Sequence, residues 1–163
     1  MRFITSLTLL IALFSFTACA QNKGNDMQED KSEYPIQKSE AEWKAALSEK
    51  AYYVLRESGT EIAFTGEYNK FDKEGTYHCA GCNAPLFSSK TKFDSGTGWP
   101  SFYDVLSNDN VKAVDDYSYG RVISEVVCNQ CGGHLGHVFE DGPRPTGLRY
   151  CINSVSIDFE GTK

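Results

Sequence analysis

The sequence contains no run of lysine or arginine, and its 22 acidic residues outnumber 16 basic ones, for a formal net charge of −6. A nucleic-acid surface needs clustered cations against the phosphates, so that class of function has no electrostatic support. There is no uncharged stretch of membrane-spanning length either. The apolar run Phe3 to Phe16, FITSLTLLIALFSF, is 14 residues, where a crossing helix needs about 20. No internal repeat of solenoid length is visible, which excludes a stacked-repeat architecture. A length of 163 residues leaves no room for a second domain of ordinary size. What is present, 40% hydrophobic and 13% aromatic residues, supplies the core of one compact domain. Its partners are expected to be proteins or small molecules.

The short apolar run follows Arg2 and suits the core of an export signal. Thr17-Ala18-Cys19 comes next, then a polar, turn-rich stretch, QNKGNDMQEDKSEYP. This resembles a bacterial lipoprotein signal, cleaved before Cys19 and acylated on its thiol, although Phe16 stands where such signals more often carry leucine. Ordinary secretion with a free Cys19 is the alternative. Either way the chain is expected to be exported, with a signal peptide over 1–18, a flexible tether over 19–37 and the folded domain over 38–160. With acylation it is a membrane-anchored lipoprotein facing the periplasm or cell exterior.

Ser39-Glu40-Ala41-Glu42 has the form of a capping box, and Trp43, Ala46, Leu47 and Ala51 recur at helical spacing. One amphipathic helix is predicted, ambiguous at Tyr52 to Leu55 and ended by Gly59 as its C-terminal cap. Downstream, short β-branched or aromatic runs alternate with turn residues: TYHC, APLF, VKAV, GRVISEVVC, HVF and RYCINSVSIDF. The fold class is mainly β within an α+β frame: small antiparallel sheets preceded by an N-terminal helix. VKAV and RVISEVV, separated by Asp115 to Gly120, are expected to pair.

The six cysteines separate by spacing. Cys79 and Cys82 form C-A-G-C, Cys128 and Cys131 form C-N-Q-C, and Asn83 to Val127 lie between the pairs. Two such knuckles can close a tetrahedral zinc shell, clamping distant hairpins and leaving no open position for chemistry. A pair of redox disulfides is the competing reading, since export leads to an oxidising compartment. His134-Leu135-Gly136-His137 begins three residues after the second knuckle. Histidines three apart point to opposite sides of a regular strand unless a bulge intervenes, which glycine permits. They are candidates for proton transfer or for holding a polar substrate atom; ordinary polar roles, or one zinc ligand, are the alternatives.

Cys151 has no cysteine close by in sequence. In an extended strand Arg149, Cys151 and Asn153 share a face, where the cation favours thiolate and the carboxamide can donate to an oxygen held at the sulfur. A catalytic cysteine and a buried structural one both fit. Asp94 to Phe102, DSGTGWPSF, reads as a positioned loop able to present the Trp99 indole to a soft, methylated sulfur group, although a core tryptophan is the commoner use.

GTEIAFTGEY, YHCAGCNAPLFSSKTKFDSG, GWPSFY, CNQCGGHLGHVFEDGPRPTG and RYCINS, in this order, resemble the B-type methionine sulfoxide reductases from about Ser39 to Phe159. The resemblance implies a domain of two small antiparallel sheets that reduces methionine-R-sulfoxide in peptides and proteins. It implies Cys151 as nucleophile, and one structural zinc on Cys79, Cys82, Cys128 and Cys131. Trp99 would cup the substrate methyl, His134, His137 and Asn153 would polarise the sulfoxide oxygen, and Arg149 would lie near the thiolate. A thioredoxin-like reductant would recycle the enzyme, and a monomer is expected. Many members carry a resolving cysteine where this chain has Thr97, so the one-cysteine route is implied here. Two other classes share these residues: a zinc-clamped binding module, in which Cys151 would not alkylate rapidly, and a thiol peroxidase, for which a methyl-sized pocket at Trp99 has no use.

Overall fold

The computed structural model describes residues 34–116 and 123–162; the expected signal, Cys19, the expected tether as far as 33 and residues 117–122 lie outside the described residues. Among the described residues, no helix is long and apolar enough to cross a membrane. Tyr34 to Gln37, placed in the tether by sequence, are seated on the second knuckle. Ile36 N–H donates to Gln130 O at 2.7 Å, and the Tyr34 ring covers Gly132.

Two helices stand where one is predicted. In α1, Glu40–Ala46, the Ser39 hydroxyl accepts from Glu42 N–H while the Glu42 carboxylate accepts from Ser39 N–H, the reciprocal cap legible in the sequence. The chain turns extended at Leu47, and Ser48 caps α2, Glu49–Glu57, through Ala51 N–H. Two capping serines nine residues apart therefore divide one hydrophobic periodicity. Ser58, in the left-handed region at φ 53°, ends α2 one residue before Gly59.

Among the described residues all strand pairing is antiparallel. The first sheet has the order β2-β1-β9, from Gly75–Cys79 (β1), Pro85–Ser88 (β2) and Ile157–Gly161 (β9). The second runs β3-β4-β8-β7-β6-β5, from Lys92–Phe93 (β3), Ser101–Phe102 (β4), Val111–Asp116 (β5), Ile123–Cys128 (β6), His134–Phe139 (β7) and Arg149–Ile152 (β8). The expected β5–β6 pair is present from Val111 opposite Cys128 to Asp116 opposite Ile123. The segment RYCINSVSIDF, read as one strand, is two: a 3-10 turn at Ser154–Ser156 carries the chain from the second sheet to the first.

One buried cluster joins these parts, with Tyr77 and Phe87 from the first sheet, Phe102, Leu135 and Ile152 from the second, and Leu55 from α2. Phe87 stacks on Phe102 at 4.5 Å and Tyr77 meets Phe102 edge-on at 5.0 Å, so aromatic contacts seam the two sheets. The helical side is tied to the second knuckle by Arg56, which lies over Trp43 and donates to Cys131 O at 2.9 Å.

Candidate functional site

The two C-x-x-C segments adopt the same turn. In each, the first cysteine's carbonyl accepts from the residue four on, and its N–H donates to the carbonyl five on: Asn83 and Ala84 around Cys79, Gly132 and Gly133 around Cys128. The residue four on needs a left-handed backbone, supplied by Asn83 at φ 64° and Gly132 at φ 69°. These turns bring four sulfurs within 4.8 Å of one another, with Cys79–Cys131 at 3.7 Å and Cys82–Cys128 at 3.5 Å. A zinc–sulfur bond of about 2.3 Å gives a tetrahedron with edges of about 3.8 Å. The donor set and its spacing thus fit a cluster that could hold zinc. Cys79, Cys128 and Cys131 are buried, as a closed structural site requires. The predicted histidine alternative is not realised: only cysteines make up the cluster among the described residues.

Cys151 lies on β8 in the interior of the larger sheet. Its register partners are Ser101 of β4 on one side and His137 of β7 on the other, and Glu125 of β6 is opposite His137. Directly opposed residues project from the same face, so Ser101, Cys151, His137 and Glu125 form one transverse row. The row behind it, Phe102, Tyr150 and Val138, packs toward the core.

A bulge completes the row. Val126 and Val127 pair with Gly136 and His134, skipping Leu135, and the shift brings His134 and His137 together with ring centroids 5.4 Å apart. Gly136 is required by proximity, since a Cβ there would stand 2.0 Å from Cys151 O on β8. The His134 Nδ1 lies 2.6 Å from a Glu125 carboxylate oxygen. Its Nε2 is buried without a hydrogen-bond partner among the described residues.

A cavity of about 260 Å³ opens over the row, lined by Trp99, His137, Cys151 and Asn153 together with Thr60, Ile123 and Phe139. Trp99 is fixed by an indole N–H bond to Glu61 O at 3.2 Å, so the loop presents a ring, as its glycine and proline spacing predicts. Asn153 is buried: its carboxamide oxygen accepts from Glu61 N–H and its amino group donates to Leu135 O, which leaves one of its two N–H bonds for a ligand. His134 and Arg149 do not line the cavity. Arg149 makes a two-pronged pair with Asp141 at 2.7 and 2.8 Å and covers Phe139.

A chain of hydroxyls ends on the thiol. Thr97 Oγ1 is 3.7 Å from Cys151 Sγ, Ser95 Oγ is 2.8 Å from Thr97 Oγ1, and Ser101 Oγ is 2.7 Å from Ser95 Oγ. Burial pushes the Cys151 thiol up; the Thr97 hydroxyl and then the Arg149 charge pull it down without prevailing. The cation expected from the sequence to favour thiolate is therefore outweighed by burial. Ser95, Ser101, Glu125, Asp141 and Glu61 were not singled out in the sequence. Each enters through cross-strand register or a loop contact, and Glu61 lies 92 residues from Asn153.

The SelR domain matches residues 47–161. The chain is 60% identical over 127 residues to peptide methionine sulfoxide reductase MsrB of Methanosarcina barkeri, covering 77% of this chain and 88% of that protein. It is 54% identical over 127 residues to the MsrB of Leptospira interrogans, covering 78% and 97%. Methionine-R-sulfoxide reductase B3, mitochondrial, of Mus musculus is 52% identical over 130 residues, covering 80% of this chain and 51% of that protein. On the extent and identity of these matches, the chain belongs to the SelR family of MsrB proteins.

Proposed function

We propose that this chain reduces methionine-R-sulfoxide in peptides and proteins through the thiol of Cys151. It is an oxidoreductase of the peptide methionine sulfoxide reductase class. The observation that carries the residue-level reading is the pair Cys151 and His137, opposed across β8 and β7, opening into a cavity walled by Trp99, Ile123 and Phe139. That wall suits an S-methyl group, and the polar row lies where sulfur and oxygen would rest.

Cys151 attacks the sulfoxide sulfur as thiolate. His137 and the second N–H of Asn153 hold the oxygen as it gains protons, and His134, set by Glu125, acts through His137. Methionine leaves and Cys151 takes the oxygen as a sulfenic acid, so the substrate is reduced by two electrons and the cysteine oxidised by two. One external thiol then forms a mixed disulfide with release of water. A second thiol restores Cys151 and leaves as a disulfide; a thioredoxin-like protein fills this role. Thr97 cannot resolve the sulfenic acid within the chain.

Cys79, Cys82, Cys128 and Cys131 hold one zinc ion, which supplies cohesion between the knuckles. The chain works outside the cytoplasm, repairing oxidised exported proteins, as a monomer anchored through Cys19. The sequence from Arg2 to Cys19 supports this placement. The test of the activity is turnover of the two sulfoxide epimers of N-acetylmethionine by the full chain with a small dithiol. Consumption of the R epimer alone is expected; equal consumption of both, or of neither, would overturn the reading.

A further inference from the structure

Among the described residues five large hydrophobic side chains are exposed, and three of them are tied to the surroundings of Trp99: Tyr53 at 51% and Ile62 at 77% line a cavity with Glu61, whose carbonyl takes the Trp99 indole N–H, and Phe64 at 65% lies against Gly98. The segment Thr60 to Gly66 is fixed at several points despite its exposed side chains. The Glu61 carboxylate accepts from Ser154 N–H at 2.6 Å and Val155 N–H at 3.3 Å, its carbonyl takes the Trp99 indole N–H, and Phe64 N–H donates to Gly98 O at 2.8 Å. Phe64 has φ 67°, a left-handed conformation that a bulky residue adopts at a cost. Its ring lies against Gly98, where a Cβ would come within 2.9 Å of Phe64 Cδ2. A strained backbone therefore holds an apolar ring in solvent, beside the residue that precedes Trp99.

A second cavity of about 250 Å³ lies next to the first. Tyr53, Val54 and Ile62 line it, and Thr60 lines both cavities. Continuity through Thr60 limits what can occupy it. A polypeptide whose methionine sulfoxide sits against Cys151 lays its neighbouring residues about 3.3 Å apart along the chain if extended, and Thr60, shared by both cavities, is where such a chain passes from one to the other.

We infer that Tyr53, Ile62 and Phe64 form an apolar lip that binds a bulky apolar side chain flanking the methionine sulfoxide of a polypeptide substrate. This inference rests on the function proposed above and adds a sequence preference to it. The occupant is a segment of substrate chain of the kind that folding ordinarily buries. Burial of one such side chain in an open groove favours it over glycine about tenfold in kcat/KM.

The test compares two blocked pentapeptides with central methionine-R-sulfoxide, flanked either by leucine or by glycine. The full chain is measured as wild type, as Ile62→Ser and as Phe64→Gly, the last a change that suits the left-handed backbone and so protects the fold. Leucine flanks are expected to raise kcat/KM about tenfold in the wild type, mainly through KM, and the ratio to fall to about twofold or less in both variants. A general loss of activity scales both peptides alike and leaves the ratio in place, so a ratio unchanged in both variants, or near one in the wild type, would overturn the lip. A wild type that self-associates through this patch, with association lost in Ile62→Ser and a ratio near one, would assign the face to a second copy instead. Failure to reduce N-acetylmethionine-R-sulfoxide at all would count against the proposed function itself, separately from the lip.

Discussion

The Thr97 hydroxyl touches the sulfur of Cys151 at 3.7 Å, at the end of a hydroxyl chain through Ser95 to the buried Ser101. A hydroxyl in that place cannot close a disulfide. One equivalent of methionine-R-sulfoxide without reductant is expected to leave Cys151 reactive to a sulfenic-acid probe, with no new intramolecular disulfide on peptide mapping. Thr97→Cys should convert this product to a disulfide between the introduced thiol and Cys151, because the side chains already meet and a bridge requires Cβ atoms about 3.5–4.5 Å apart. A disulfide from Cys151 to a knuckle cysteine in the unmodified chain would contradict the one-cysteine route.

The same contact has a pH signature. Burial raises the Cys151 pKa; the Thr97 hydroxyl, through its hydrogen bond, opposes it, as do the charge and the hydrogen bond of Arg149, which is itself held by Asp141. His137 also faces the sulfur from β7 and is left in place by a change at Thr97. Thr97→Val removes a donor to the thiolate and raises the pKa further, so less thiolate is present at neutral pH. Alkylation of Cys151, followed by mass spectrometry, should slow about tenfold per unit of added shift below the pKa, and converge with the wild type well above it. An unchanged profile would show that the hydroxyl leaves the thiolate unassisted.

Metal removal should unfold the domain. The knuckles join β1 and β6 across the two sheets, and a structural zinc can contribute roughly 10–16 kcal/mol, as much as a domain's whole stability. Metal analysis of the wild type should give about one zinc per chain, and Cys79→Ser and Cys128→Ser should each lose the metal and the cooperative thermal transition. A metal-free variant that melts cooperatively and retains activity would sink the structural role.

His137 lines the cavity, whereas His134 stands behind it against Glu125. His137→Ala is therefore expected to slow the single-turnover step about 100-fold or more with zinc content unchanged. Glu125→Gln, which weakens the partner of His134, should have a smaller effect of the same kind. Loss of metal from His137→Ala would require the ligand set to be redrawn.

Much of this site is legible in the sequence because its signals are local. Each C-x-x-C carries its own turn, the Ser39–Glu42 cap is four residues long, and Gly136 between two histidines announces a bulge. What escapes is set by tertiary register. Ser101 and Glu125 join the row only because β4 and β6 fall where they do beside β8 and β7, and a one-residue slip would turn both away. Glu61 falls within the GTEIAFTGEY motif, but its reach to Ser154, 93 residues on, is set by the tertiary fold and leaves no local signal. The single predicted helix fails for another reason: hydrophobic spacing continues through Leu47 and Ser48, and the second serine cap wins over periodicity. The break between β8 and β9 is hidden likewise, since both halves are apolar and β-branched while the turn is set by Ser156 bonding back to Asn153 O at 2.7 Å.

The measurement closest to the central claim is steady-state reduction of methionine-R-sulfoxide by Cys151→Ser, with zinc content and melting temperature taken on the same preparation. Serine nearly preserves the shape of the side chain while removing the nucleophilic sulfur, so the account predicts loss of activity by about a thousandfold or more in a folded, zinc-loaded chain. A variant that stays folded and metal-loaded yet keeps more than about a tenth of wild-type activity would remove Cys151 from the mechanism.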